Sequence, residues 1–134
     1  VSTGEIFDGK KVVLFAVPGA FTPTCSAAHL PGFVVHGDDI KAKGVDTVAC
    51  MSVNDVFVMD AWGKSANAEH LMMLADGNAT FTAALGLELD GSGFGMGTRS
   101  QRFAMVVDNG VVTLLNVDAG ALEGSSAEAI LAAL

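Results

Sequence analysis

Apolar residues occur in runs along the chain, and these runs predict the strands. Residues 10–17 (KKVVLFAV) and 45–53 (VDTVACMSV) are nearly continuous apolar runs rich in β-branched side chains, which is typical of strands buried on both faces. Residues 70–76 predict a third strand. Residues 102–117 alternate around an Asn109–Gly110 pair, the turn dipeptide of a β-hairpin.

Helices are predicted between the strands and at the C-terminal end, over residues 22–44, 54–64, 78–86 and 124–134. Pro31 cannot donate a backbone hydrogen bond and is expected to kink or split the first helix. Asn78 is expected to cap the third helix and Gly86 to end it. Ser125 and Glu128 have the spacing of a capping box at the start of the last helix.

The order of these elements predicts an α/β fold. Strands joined by helices imply crossover connections and a parallel part of the sheet, whereas the hairpin adds an antiparallel part. We therefore expect a mixed central sheet with helices on both faces, for which the thioredoxin-like fold is one solution. The glycine-rich residues 87–100 are interpreted as a loop, and residues 1–134 as a single domain.

Composition excludes several classes of function. Apolar residues make up 51% of the chain, but no apolar run reaches the length of a membrane span. The net charge of -8 disfavours nonspecific binding to nucleic acid. The two cysteines form neither a CxxC pair nor a zinc-type spacing. We expect an intracellular, cytoplasmic protein, or an organellar one if a transit peptide has been removed.

The first cysteine stands at a predicted helix start. If Thr22 is the N-cap and Pro23 the first helical residue, Cys25 lies in the first turn. Free backbone N–H groups and the positive end of the helix dipole favour a thiolate there, and the thiolate is the nucleophile. The alternative is that Cys25 is an inert buried side chain. Because the motif reads TxxC, dithiol exchange within it is excluded.

The segment PGAFTPTCS, followed by HLPGF, closely resembles the active-site segment of the type II, or peroxiredoxin-5-like, peroxiredoxins, most of all their plant and bacterial members. VACMSVND, FVMDAWGK, LADGNATFTAALGLELD, GTRSQRFAMVVDNG and SSAEAIL resemble further segments of that group in the same order. The resemblance covers nearly the whole chain. It also implies that the N-terminal segment preceding GKKVVLF in typical members is missing here.

The resemblance implies a thiol-dependent peroxidase that reduces hydrogen peroxide and alkyl hydroperoxides without metal, haem or flavin. It makes Cys25 the peroxidatic cysteine, which becomes a sulfenic acid. It implies that Pro18 shields this cysteine, that Thr22 hydrogen-bonds the peroxide and that Arg102 stabilises both thiolate and peroxide. An arginine suits that role because it keeps its charge and offers fixed donors to the oxygen that becomes negative. Arg99 is interpreted as a surface or supporting residue.

The step that follows oxidation stays open. Cys50 lies in the middle of a predicted strand, where an inert cysteine is expected; the resemblance also admits it as a resolving cysteine. The favoured alternative is an external thiol, namely glutathione with glutaredoxin, or thioredoxin, because a strand cysteine is hard to bring within disulfide distance of a helix-start cysteine. The resemblance also implies a homodimer.

The sequence leaves two other functions open for Cys25. The first is a redox sensor or thiol-based binding module without fast turnover. The second is a hydrolase in which His29, four residues after Cys25, acts as the base. No third orienting residue is evident for such a pair, so His29 is interpreted as structural or exposed.

Overall fold

Five strands form the central sheet of the structure, a computed structural model that describes residues 2–119 and 121–134. In pairing order they are β3 (Met72–Ala75), β2 (Thr47–Ser52), β1 (Lys11–Val17), β6 (Arg102–Asp108) and β7 (Val111–Asp118). β1, β2 and β3 are parallel, whereas β6 and β7 are antiparallel to their neighbours. The predicted mixed sheet is confirmed.

Helices cover both faces of this sheet. One face packs against α2 (Leu30–Ala42), α3 (Val56–Ser65) and α5 (Ala127–Ala133), and the other against α1 (Thr3–Phe7) and α4 (Thr80–Leu85). Every β1 residue after Lys11 is buried, because alternate side chains enter the two cores. This double burial explains the unbroken apolar run. None of the helices that the structure describes is long and apolar enough to cross a membrane.

The helix that follows β1 differs from the prediction in how it is interrupted. Helical backbone begins at Pro23, but residues Cys25–His29 form a π-helical segment before α2 begins. The backbone N–H of Leu30 reaches back to the carbonyl of Cys25. The irregularity therefore precedes Pro31, which lies in the first turn of α2. Such π-helical turns are found frequently at functional sites.

Two predicted helix caps are wrong. α4 begins after Ala79, and the Asp76 carboxylate, rather than Asn78, accepts from the backbone N–H groups of Phe81 and Thr82 at 3.2 and 2.8 Å. α5 is capped by Ser126, whose side chain accepts from the N–H of Ala129 at 3.2 Å. At the start of α5 the Ser125 hydroxyl donates to Asp118, which leaves the neighbouring Ser126 to cap the helix.

The segment predicted as a loop also contains regular structure. β4 (Glu88–Asp90) and β5 (Thr98–Ser100) form an antiparallel hairpin, joined by a short 3₁₀ turn at Ser92–Phe94. Strands of this length are too short to produce a period in the sequence. α1 was not predicted for the same reason.

Candidate active site

The candidate site lies at the carboxyl end of β1, where the chain turns into the π-helical segment. The side-chain oxygen of Asn54 accepts hydrogen bonds from the backbone N–H of Ala20 at 2.9 Å and from the Ser52 hydroxyl at 2.6 Å. Phe21 adopts a positive φ of 62°, and the turn directs the chain into the helix that begins at Pro23. The end of β2 therefore supports the loop that presents Cys25.

Arg102 contacts Cys25 although 77 residues separate them in the chain. β6 runs antiparallel to β1, with Phe103 opposite Ala16, so the first residue of β6 stands beside the last residues of β1. From there Arg102 Nη2 donates to Cys25 Sγ at 3.1 Å. Cys25 is only 1% exposed and Arg102 only 7%, so little solvent weakens the attraction between a guanidinium and a thiolate.

His29 lies behind the arginine. Its Nδ1 is 2.7 Å from Arg102 Nη1, and its Nε2 is 2.9 Å from the carbonyl oxygen of Ser125. A carbonyl can only accept and a guanidinium can only donate, so Nε2 carries the proton and Nδ1 accepts. Burial, and next the charge of Arg102, lower the pKa of His29 to about 4. The imidazole is therefore neutral at physiological pH.

His29 is fully buried, so the structural interpretation of this residue is confirmed and the exposed one is wrong. Both of its ring nitrogens are occupied by Arg102 and Ser125, so neither is free to take a proton from Cys25. The alternative prediction, a hydrolase in which His29 acts as the base for Cys25, is therefore wrong. The four-residue spacing from Cys25 was the available signal, but it cannot reveal a contact with a residue on another strand.

A loop after β7 holds the Ser125 carbonyl in place. The Asp118 carboxylate accepts from the backbone N–H groups of Glu123, Gly124 and Ser125 at 2.9, 3.1 and 2.9 Å, and also from the Ser125 hydroxyl. Burial acts to raise the pKa of Asp118, but these hydrogen bonds outweigh it and the net shift is downward. Ser125 thus binds Asp118 instead of forming the expected capping box.

Pro18 and Thr22 occupy the same end of the sheet. Pro18 is half-buried and, with Arg102, lines a cavity of about 350 Å³. The backbone carbonyl of Thr22 accepts from the N–H of Ser26 at 2.9 Å, which fits its predicted place at the helix start. Its hydroxyl does not cap the helix; it donates to the carbonyl of Gly19 at 2.6 Å. That leaves the lone pairs of the hydroxyl oxygen as acceptors.

Arg99 and Trp62 have supporting positions. Arg99 donates to the carbonyls of Met96 and Val53, each at 2.9 Å, and so ties the β4–β5 hairpin to the end of β2. Trp62 is 1% exposed, and its indole N–H donates to the Ser26 hydroxyl at 3.0 Å. Trp62 is therefore a packing residue.

Cys50 has a different environment from Cys25. It lies in the middle of β2 between Phe15 of β1 and Met73 of β3, and it is 0% exposed. Burial raises the pKa of the Cys50 thiol, and a charge on Cys25 raises it further. Cys50 is therefore a neutral thiol at physiological pH, and both cysteines are free.

Comparison with known proteins identifies the family. The Redoxin family model matches residues 1–131. Peroxiredoxin-2C of Arabidopsis thaliana is 53% identical over 136 residues, which cover 100% of this chain and 84% of that protein. The chain belongs to the redoxin family. It is a peroxiredoxin of the type II group, as the resemblance implied.

Further relatives and solved structures extend this result. Peroxiredoxin-2E, chloroplastic, of Arabidopsis thaliana is 51% identical over 100% of this chain and 59% of its own length. The structure of reduced Prx3 in complex with H₂O₂ from Vibrio vulnificus has a TM-score of 0.94 and 68% identity, and covers 97% of this chain and 85% of that one. Peroxiredoxin 5 from Alvinella pompejana has a TM-score of 0.86 and 40% identity, over 96% of this chain and 80% of that one.

The expectations of fold and activity are therefore confirmed. This peroxiredoxin has the thioredoxin-like fold and is a thiol-dependent peroxidase. Its substrates are peroxides, and thiols return it to the reduced state.

Proposed function

We propose that Cys25 is the peroxidatic cysteine of this enzyme and that an external thiol reduces it afterwards. The hydrogen bond of 3.1 Å from Arg102 to the Cys25 sulfur carries this proposal, because it sets a permanent positive charge against the one thiol at a helix start. Among the residues that the structure describes, no lysine or arginine hydrogen-bonds to Cys50, whose neighbours across the sheet are Phe15 and Met73.

The reaction has two halves. The Cys25 thiolate attacks one peroxide oxygen, an S–O bond forms, the O–O bond breaks, and the second oxygen leaves as water or an alcohol after taking a proton. The sulfur is oxidised to a sulfenic acid and the peroxide is reduced. A thiol then attacks the sulfur and releases water, and a second thiol displaces Cys25 from the mixed disulfide.

Three further residues are assigned roles in the first half-reaction. Arg102 stabilises the thiolate and the charge that develops on the leaving oxygen. Thr22, whose hydroxyl proton is given to Gly19, accepts a hydrogen bond from the peroxide. Pro18, which is half-buried and lines the same cavity as Arg102, limits access of water to the sulfur.

The proposed reductant is glutathione with glutaredoxin, or thioredoxin, rather than Cys50. Cys50 is fully buried within β2 and has a raised pKa, so it supplies little thiolate for attack on a sulfenic acid. Pairing the two cysteines would also require local opening of the sheet or the helix.

One experiment tests both parts of the proposal, the peroxidatic role of Cys25 and its reduction by an external thiol. Peroxide consumption is measured with glutathione plus glutaredoxin and with thioredoxin, for wild type, Cys25→Ser and the matched variant Cys50→Ser. We expect Cys25→Ser to lose activity about 10³-fold or more, and Cys50→Ser to keep it within about twofold. Retention of the rate by Cys25→Ser would contradict the assignment, and fast oxidation without turnover would indicate a redox sensor.

Intact mass after one equivalent of peroxide separates the two reduction routes. Gain of one oxygen by wild type, lost in Cys25→Ser, supports the external thiol. Loss of two hydrogens, abolished by Cys50→Ser, would instead make Cys50 the resolving cysteine.

We also propose a homodimer. Several large apolar side chains are exposed, including Phe21 of the active-site loop at 55%, and Val56 and Phe57 at the start of α3 at 61% and 82%, and burying them in a subunit interface is favourable. Sedimentation velocity of wild type and Phe57→Glu tests this; a wild-type monomer at all concentrations would contradict it.

Two further expectations become proposals. We propose that residues 1–134 fold as one domain, which predicts a single transition when unfolding is followed by Trp62 fluorescence and by circular dichroism together. We propose a cytoplasmic location, which imaging of the tagged protein in its host tests; an organellar signal would contradict it.

A further inference from the structure

We propose that His29 is a positioning residue, which orients the Arg102 guanidinium against the Cys25 sulfur. The proposal rests on the peroxidatic role of Cys25 proposed above. It assigns to His29 neither contact with the peroxide nor proton transfer. Instead, the neutral imidazole accepts a hydrogen bond from one arm of the guanidinium while the other arm donates to Cys25.

The planar guanidinium makes this arrangement effective. Its two terminal nitrogens have a fixed geometry relative to each other. When Nη1 is held 2.7 Å from His29 Nδ1, Nη2 is directed to the Cys25 sulfur at 3.1 Å. Without the acceptor, Arg102 could turn Nη1 toward the adjoining cavity, which it lines with Pro18 and Asp118. A charge that reorients during reaction stabilises the transition state less than one already in place.

The imidazole itself has little freedom. Its ring is tilted against Phe15, with centroids 5.0 Å apart, and against Phe33 at 5.7 Å. Its far nitrogen donates to the Ser125 carbonyl at 2.9 Å. Since the ring plane and the tautomer are both held, Nδ1 presents its lone pair to Arg102.

The Ser125 carbonyl is in turn placed by the loop that Asp118 binds. Asp118 accepts three backbone N–H groups from residues 123–125 together with the Ser125 hydroxyl. The side-chain amide of Asn116 also donates to the carbonyl of Gly124 at 2.9 Å. The contacts thus run from β7 through the loop, Ser125, His29 and Arg102 to Cys25.

The neutral state of the ring is required for this function, and its surroundings maintain that state. Protonated His29 would have no lone pair for Arg102 and would place two cations side by side. Arg102 on β6 faces the ring, Cys25 precedes it on the same helix, and Asp118 lies beyond Ser125 on β7. Burial and Arg102 outweigh Asp118, so the pKa of His29 stays at about 4.

Two substitutions of His29 distinguish the acceptor at Nδ1 from the donor at Nε2. Asn places its carbonyl oxygen close to the position of Nδ1, so His29→Asn keeps an acceptor for Arg102 and loses the donor to Ser125. Gln places its amide nitrogen close to the position of Nε2, so His29→Gln keeps the donor and loses the acceptor. His29→Leu loses both. His70→Asn is the matched control, because His70 Nε2 also contacts a backbone carbonyl, that of Val34 at 3.1 Å, away from the site.

The measurement is the rate of Cys25 oxidation by hydrogen peroxide in a single turnover, followed by the fluorescence of Trp62, with melting temperatures recorded in parallel. We expect His29→Gln and His29→Leu to slow oxidation by about 10- to 100-fold, the order of loss found when a residue that orients a metal ligand is removed. His29→Asn is expected to stay within about fivefold of wild type, and His70→Asn to match it. Iodoacetamide alkylation of Cys25 should follow the same order.

Equal oxidation rates for wild type, His29→Gln and His29→Leu would overturn the proposal. So would equal slowing by Asn and Gln, because a merely structural role would lower their melting temperatures without separating their rates. If His29→Leu does not fold, the Asn and Gln pair alone decides. A fast phase that persists in Cys25→Ser would instead refute the role of Cys25 and, with it, the proposal for His29.

Discussion

Cys25 and Cys50 pack into the same apolar cluster on one face of the sheet, at 1% and 0% exposure. Exposure alone would make them equivalent. Cys25 accepts a hydrogen bond from a guanidinium, whereas Cys50 lies between Phe15 and Met73 in β2 and has a raised pKa. The comparison shows that the reactivity of a buried cysteine depends on the charged side chain that is buried beside its thiol.

Removing that charge should make Cys25 resemble Cys50. We expect Arg102→Met to lower kcat/KM for peroxide by roughly 10³-fold, because the developing negative charge loses its main stabilising group. Arg102→Lys should recover only part of this loss, since an ammonium cannot contact His29 and Cys25 with two fixed arms. Arg99→Met, which removes the chain's only other arginine, is the control; an equal loss there would contradict the distinction.

The loop before Cys25 offers a second difference, since Cys50 has no corresponding loop within its strand. Thr22→Val removes the hydroxyl that donates to Gly19, and we expect kcat/KM to fall by roughly 10²-fold. Thr22→Ser should keep most of the rate. Thr113→Val is the matched control, because the Thr113 hydroxyl also donates to a backbone carbonyl, that of Val106 at 3.2 Å, away from the site. Similar rates for Thr22→Val and Thr22→Ser would exclude a role for the hydroxyl.

The free energy of unfolding should also depend on pH through His29, which contacts the arginine beside Cys25. The pKa of His29 falls from 6.5 to about 4 through burial and the charge of Arg102. Between these values the unfolded chain binds a proton at this position and the folded chain does not, so the free energy of unfolding falls as pH falls. From about pH 7 to about pH 5 this amounts to about 2 kcal/mol.

Urea unfolding at both pH values, for wild type and His29→Asn, measures this effect. The carboxylates titrate in both proteins, so their contributions cancel in the difference. Wild type should lose about 2 kcal/mol more than the variant; parallel losses would show that His29 is not held neutral.

The smallest effect is expected at Cys50. Cys50→Ala leaves a small cavity in the apolar cluster on this face of the sheet, and we expect it to lower the free energy of unfolding by about 1–2 kcal/mol. The rate of Cys25 oxidation should remain within about twofold. A larger loss of rate, with stability unchanged, would give Cys50 a chemical role and remove the contrast between the two thiols.

The sequence revealed the parts of the site that are local. Thr22, Pro23 and Cys25 lie within a single turn, so helix-start chemistry could be read directly from them, and helical backbone does begin at Pro23. Buried strands were evident because double burial demands an unbroken apolar run. The predicted helix caps were less accurate where two neighbouring residues could each cap the helix, as Ser125 and Ser126 could at the start of α5.

By itself, then, the sequence determined the order of the five strands of the central sheet and of the helices between them, the family and a candidate nucleophile, because each depends on residues adjacent in the chain. Only the tertiary structure brought Arg102, His29 and Ser125 together behind Cys25. The antiparallel register of β6 on β1 fixes the position of Arg102, and the loop bound by Asp118 fixes the position of the Ser125 carbonyl. Such contacts join distant segments through the packing of the whole sheet, and no local pattern encodes them.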